Sequence, residues 1–290
     1  MGLYRLLTYI GRVPVGGKSS VKIMGVINVS PESFYKGSVR TSDEEIAAAA
    51  RQMQQDGAHI IDIGAMSTAP YLDTMISIEE EIRRLKNALA IVKQNSDLPV
   101  SADTPRAPVA EAAIAAGADA INDVTGLKHD TGMAWVIAKA GVAVIMGAYS
   151  RASSTGRVAG TLRALRESVA IAKKSGMKDS SIIVDPSIGF FREQGKGPFF
   201  TRITDMAWYA RDIEVLSRLK KLEILKKPLC VSVSRKSFIG HLLNIRAAED
   251  RLAPSLVCEV MAALNGASLI RTHNVRETVQ AMTMLHLLMR

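Results

Sequence analysis

The sequence predicts an α/β chain folded as a (β/α)8 TIM barrel with a short N-terminal extension. Three observations carry that prediction. From residue 22 onward, short apolar runs alternate with amphipathic stretches. The runs are apolar on both faces, as the strands of a helix-covered parallel sheet must be. Eight such units occupy residues 22–290, the number that closes this kind of barrel. A doubly wound open sheet is the competing arrangement, but no GxGxxG follows the first run.

The strands are expected at 23–28, 59–64, 100–103, 118–122, 142–146, 182–185, 229–233 and 268–273. Helix signals fill the gaps. Ser42-Asp43-Glu44-Glu45 opens the first helix with a capping box, and Gly57 closes it. The next helix, 78–96, begins with three glutamates, which favour the positive end of a helix dipole. Ranges 107–116, 133–139, 162–175, 207–222, 248–264 and 276–287 supply the others. Residues 1–21 precede the first strand and read as an extension or barrel plug; residues 22–290 read as the barrel. Two connections are long: 147–160 is small and polar, and 186–204 is rich in Gly and Phe. Long loops in a compact domain are usually functional or mobile.

Composition narrows the function. With 48% hydrophobic and 22% charged residues the chain builds a large core and is not disordered. The net charge of +9 is spread without long Lys/Arg blocks, and aromatics are only 5%. That pattern argues against a nucleic-acid partner; the basic excess suits solubility first, with small phosphate-bearing ligands as the functional option. Cys230 and Cys258 lie in apolar surroundings and read as core thiols, which suits a reducing cytoplasm. No cleavable apolar leader and no run of about 18 apolar residues is present, so no membrane partner is expected. Helices 248–264 and 276–287 carry apolar residues that suit a homodimer. HExxH, Cys/His zinc patterns, GxSxG and Walker A are all missing.

A barrel of this type places its active site at the C-terminal ends of the strands. Seven of the eight runs end in polar groups. They are Asn28, then Asp62 leading to Ser67-Thr68, Asp103-Thr104, Asn122-Asp123, Asp185, Ser234-Arg235-Lys236-Ser237, and Arg271-Thr272-His273-Asn274. The fifth run ends in Met146-Gly147 without charge. A single polar strand end is usually a turn former or a helix cap, and Asp123 and Asn274 fit that reading. Seven at one mouth suggest a site. Asp103, Asn122 and Asp185 suit the donor-rich edge of a nitrogen heterocycle, because a carboxylate accepts two parallel N–H bonds. Lys236 can donate to a ring nitrogen or carbonyl. Arg271 and His273 are two apart on one strand and share a face; with Asn28 they suit a phosphate. Asn28 also offers an amide oxygen to Mg2+, a hard cation that keeps waters and substrate phosphates.

These segments resemble dihydropteroate synthase, within the wider group of pterin-binding barrels. The matching stretches are 25–34 (GVINVSPESF), 62–68 (DIGAMST), 103–104 (DT), 121–126 (INDVTG), 185–190 (DPSIGF), 234–238 (SRKSF) and 271–275 (RTHNV). They run in order from about residue 22 to the C-terminus. The resemblance implies coupling of 6-hydroxymethyl-7,8-dihydropterin diphosphate to 4-aminobenzoate, with release of pyrophosphate. It implies that Asp103, Asn122, Met146, Asp185, Phe190, Arg235 and Lys236 meet the pterin. Asn28, Arg271 and His273 would face the diphosphate with Mg2+, and Asn28, Lys236, Arg271 and His273 would carry the catalysis. Pro31, Phe34, Lys36, Ser67, Thr68 and Ser237 would close over the arylamine. Arg235 is expected to stack along the pterin face.

The chain departs from the family pattern at its loops. Glu32 and Lys36 stand where aspartates are usual, Ala69 replaces an arginine, and Met146-Gly147-Ala148 replaces a Met-His-Met segment. The alternatives are therefore a ribosylated aminobenzene phosphate as second substrate, with Lys36 meeting the added phosphate, a pterin-dependent methyltransferase, or a pterin-binding protein without catalysis.

Overall fold

The structure, a computed structural model, describes residues 7–32, 35, 37 and 39–289. Two antiparallel strands come first, β1 (Leu7–Ile10) and β2 (Val13–Gly16). The parallel strands then follow as β3 (Lys22–Asn28), β4 (Ile60–Gly64), β5 (Val100–Asp103), β6 (Ala120–Asp123), β7 (Ala143–Gly147) and β8 (Ile182–Asp185). Two short strands, β9 (Phe191–Arg192) and β10 (Thr201–Arg202), pair with each other inside the long 186–204 connection. The last barrel strands are β11 (Cys230–Val231) and β12 (Leu269–Thr272). The spatial order is β11-β12-β3-β4-β5-β6-β7-β8, all parallel, and a bridge between Val184 and Leu229 joins the two ends. The expected (β/α)8 barrel is the observed fold.

The helices are α1 (Asp43–Gln55), α2 (Ile78–Asn95), α3 (Ala107–Ala115), α4 (Met133–Ala140), α5 (Val158–Lys174), α6 (Trp208–Ser217), α7 (Ser237–Leu243), α8 (Leu252–Leu264) and α9 (Val275–Leu288). The capping box is formed: Ser42 Oγ accepts from Glu45 N at 3.2 Å, and the Glu45 carboxylate accepts from Ser42 N at 3.2 Å. Gly57 then takes φ +89°, a left-handed conformation that glycine adopts without steric cost. α7 is an extra short helix that periodicity does not reveal; seven residues are too few for an apolar stripe.

Strand periodicity explains how the interior is filled. Alternate residues face opposite sides of a strand. Met24, Ile60, Ala120, Ala143, Ile145, Ile183, Cys230 and Leu269 pack together inside the barrel with Ile10 and Val15 of the β1–β2 hairpin. The hairpin therefore seals one end of the interior. Ile10 and Val15 are fully buried, and each contributes about 2 kcal/mol through burial. The opposite parity, including Ile27, Ile63, Ala102, Ile121, Val144, Met146 and Val184, packs outward in the layer shared with the helices. No helix among the described residues is long and apolar enough to cross a membrane.

Candidate active site

The interior parity changes chemistry towards the strand C-termini. Two residues beyond Ile60 comes Asp62, beyond Ala120 comes Asn122, and beyond Ile183 comes Asp185. Met24 leads through Val26 to Asn28, Cys230 to Ser232, and Leu269 to Arg271 and then His273. Sheet register sets some of these side by side. Asn28 pairs with Gly64, Gly64 with Asp103, and Asp103 with Asn122. The cavity at this mouth is lined by Asn28, Asp103, Asn122, Gly147, Asp185, Phe190, Ser232, Lys236, Ser237, Arg271 and His273, with residues 66–71 along its rim.

A charge network forms the floor. Arg271 Nε donates to Asp62 Oδ2 at 2.6 Å, and its Nη2 donates to Asp103 Oδ2 at 2.8 Å. Asn122 Nδ2 also donates to Asp62 Oδ2, at 3.2 Å. Burial pushes the Asp103 carboxyl up to about 7, against the pull of Arg271 and with help from Asp62, Glu81 and Asp123. Burial likewise raises Asp185, whose Oδ1 accepts from Ser187 N at 2.6 Å. Lys236 is brought down to about 8 by burial and by the Arg271 cation, partly offset by Asp185 and Asp212. Its ammonium lies 4.6 Å from the centre of the Phe190 ring, and among the described residues it makes no hydrogen bond. Those donors are available to a ligand. Burial and the cations Arg271, Lys236 and Arg235 hold His273 well below its ordinary range, so its imidazole is neutral at neutral pH. Its Nδ1 is 3.2 Å from Ser234 Oγ.

Most of the residues expected at the site come together here, with four differences. Met146 does not line the cavity: it has the outward parity, and its neighbour Gly147 takes the inward place. A side chain at Gly147 would overlap the carbonyl oxygen of Val124, so only glycine fits there. Arg235 is not free to stack on a ligand. Its Nε donates to Asn274 Oδ1 at 2.9 Å, and its Nη1 donates to the carbonyls of Ala248 and Glu249 at 2.9 and 2.6 Å. Its guanidinium also sits 4.7 Å from the centre of the Tyr35 ring. Pro31 is exposed and lies off the cavity. Arg271 is turned to the carboxylates Asp62 and Asp103 and is not set apart for phosphate; Nη1 is the part of its fork left for an anion. Phe34 and Lys36 lie outside the described residues.

The turn at residues 233–240, VSRKSFIG, follows from its backbone. Arg235 takes φ +56°, uncommon for a residue with a side chain. Ser255 Oγ accepts from its N at 2.8 Å, and Arg251 Nη1 donates to its carbonyl at 3.1 Å. Its own side chain completes the anchorage. Arg235 thus makes the turn that presents Lys236 and Ser237 to the cavity.

Sequence reasoning passed over Asp62 as a network member, although its parity with Ile60 and Gly64 marks it as inward-facing. It also passed over Tyr71, a cavity residue on the 66–71 rim. Glu32, one of the atypical loop residues, is paired with Arg84 of α2 at 3.1 Å.

Comparison with known proteins agrees with this geometry. The family model described as pterin binding enzyme matches residues 24–273. A dihydropteroate synthase of Clostridium beijerinckii is 36% identical over 271 residues, covering 92% of this chain and 94% of its own. The Escherichia coli K12 dihydropteroate synthase is 32% identical, covering 90% and 89%. Among solved structures, Xanthomonas albilineans dihydropteroate synthase with 4-aminobenzoic acid superposes with a TM-score of 0.82 at 29% identity, covering 98% of both chains. The Coxiella burnetii dihydropteroate synthase in complex with pteroic acid gives 0.81 at 28% identity, again covering 98% of both. With polar groups at the C-terminal mouth of its barrel and relatives matched along nearly its full length, the chain belongs to the pterin-binding enzymes and, among them, to the dihydropteroate synthase family.

Proposed function

We propose that this chain couples 6-hydroxymethyl-7,8-dihydropterin diphosphate to 4-aminobenzoate, releasing pyrophosphate, as a transferase of folate synthesis. The observation that carries this reading is the ring of Asp103, Asn122, Asp185 and Lys236 at one strand-end mouth. Carboxylates and an amide suit the N–H-rich edge of a pterin, and Lys236 suits its carbonyl or ring nitrogen. Asn28, His273 and the remaining Arg271 donor face the diphosphate. Ser67, Thr68 and Ser237 form the side on which an arylamine would approach.

The chemistry needs no protein nucleophile. The arylamine nitrogen forms the new bond to the exocyclic methylene carbon as the carbon–oxygen bond to diphosphate breaks, and the amine then loses a proton. Donors held where the leaving group gains charge lower the barrier. A neutral His273 serves as a hydrogen-bonding group there, while Arg271 supplies the cation.

Mg2+ fits the donor set. It binds through one or two protein oxygens together with waters and substrate phosphates, and does not require a dedicated protein cage. Asn28 Oδ1 is a hard oxygen donor at the phosphate end of the cavity and would hold it. Bound there, Mg2+ would neutralise charge on the departing diphosphate. We propose further that the chain acts in the cytoplasm and forms a homodimer. The exposed residues Val257, Met261 and Leu264 of α8 with Met284 and Leu287 of α9 support the dimer. Sedimentation equilibrium checks it.

The test is pyrophosphate release from the pterin diphosphate with Mg2+, with and without 4-aminobenzoate. Release that depends on 4-aminobenzoate and yields the coupled 7,8-dihydropteroate is expected. Pterin binding without such release would contradict the reading.

A further inference from the structure

Arg192, in β9 within the long 186–204 connection, is a cation that the catalytic reading leaves unused. It is only 8% exposed. Its guanidinium is stacked between two rings, 4.0 Å from the centre of Trp208 and 5.1 Å from that of Tyr71. Nη2 donates to Ser237 Oγ at 2.6 Å, and Nε donates to the Gly189 carbonyl at 3.2 Å. Among the described residues, no carboxylate lies within ion-pair distance of it. Burying a cation without a counter-ion is costly unless polar and aromatic partners offset it. An apolar side chain would fill the space between two rings more cheaply.

What an apolar side chain cannot do is join the elements that meet here. Tyr71 and Ser237 both line the cavity, from the rim and from the start of α7. Gly189 precedes Phe190, another cavity residue. The rim leans on the same connection elsewhere: Lys196 N donates to the Pro70 carbonyl at 2.6 Å. Within the rim, residue 69 is alanine, so that stretch has no cation of its own.

We infer that Arg192 is a positioning residue for the arylamine half of the site, holding the 66–71 rim and Ser237 at the spacing the second substrate needs. This rests on the proposed coupling reaction. Arg192 acts through Tyr71 and Ser237 and does not itself touch substrate.

The test compares wild type with Arg192→Met, which keeps the stem, and Arg192→Lys, which keeps the charge without the planar fork. In Arg192→Met the KM for 4-aminobenzoate rises about tenfold, the scale of one lost charge-assisted bond. The KM for the pterin diphosphate stays within about twofold, and Arg192→Lys restores part of the loss. Amide hydrogen exchange in the ligand-free protein speeds up across residues 66–74 in Arg192→Met. An equal rise in both KM values, no change in either, or faster exchange confined to the start of α6 at Trp208 would overturn the inference, marking Arg192 as a packing residue. If Arg192→Met does not fold, Arg192→Lys decides alone, with a rise of about threefold confined to the arylamine expected. Failure of wild type to make 7,8-dihydropteroate counts against the coupling reaction; the exchange comparison still decides whether Arg192 holds the rim.

Discussion

The floor of the cavity and its rim are built by different means. Asn28, Asp103, Asn122, Asp185 and Arg271 stand on barrel strands, and the parallel ladder fixes their spacing. Ser67, Thr68, Tyr71 and Ser237 lie between or just beyond those strands. The rim is held by a few long-range contacts, such as Pro70 to Lys196 and Tyr71 to Arg192. A ladder tolerates little displacement, whereas a rim tied at a few points can move and admit ligand. The comparison teaches that one mouth can join a rigid floor to an adjustable rim, which the proposed function reads as the pterin seat and the arylamine seat. Of the atypical residues, Ala69 and Glu32 sit in the rim region, while Gly147 stands at the end of β7 in the floor.

Three experiments break or sharpen that contrast. The largest effect is expected from Lys236→Ala. It removes an ammonium aimed into the floor, and kcat/KM for the pterin diphosphate should fall about 100-fold by steady-state kinetics. An unchanged value would remove Lys236 from the pterin seat. Next comes Gly147→Ala, which drives a methyl group into the Val124 carbonyl and must shift backbone in the floor. A stability loss of about 2 kcal/mol is expected from urea unfolding, because the ladder leaves little room to relax. A loss below about 0.5 kcal/mol would show the floor to be as adaptable as the rim.

The smallest effect is in the pH profile. Asp103 is raised to about 7 and must be ionised to accept from the pterin, so kcat/KM for the pterin substrate falls as pH drops below that value. Lys236 is lowered to about 8 and must be protonated to donate, so the same parameter falls as pH rises beyond it. Each limb should approach about tenfold per pH unit. Lys236→Arg, whose guanidinium stays charged, should move the alkaline limb upward by more than about one unit. A flat profile across both values would show that neither group titrates in the free enzyme.

The contrast also governs what the sequence made legible. The barrel and the floor were readable because two short-range regularities suffice for them: alternation along a strand and polar residues at its end. The same alternation, applied strictly, would have excluded Met146, one residue from inward-facing Ile145, and given Asp62, two residues from inward-facing Ile60, a place in the network. Arg235 was misjudged for another reason. A cation next to Lys236 looks like a second ligand group, and only the turn at φ +56° and its bonds to Asn274, Ala248 and Glu249 show it supporting its neighbour. Arg192 was illegible altogether. Its partners Tyr71, Trp208 and Ser237 lie on three separate segments, and no local pattern announces their meeting.

The most direct test of a strand-built pterin seat beside a loop-built arylamine seat is calorimetric binding of the pterin diphosphate to Asp103→Asn and to Thr68→Ala. The account predicts that Asp103→Asn weakens binding by about tenfold or more, while Thr68→Ala leaves it within about twofold of wild type. Equal weakening in both, or loss only in Thr68→Ala, would contradict it.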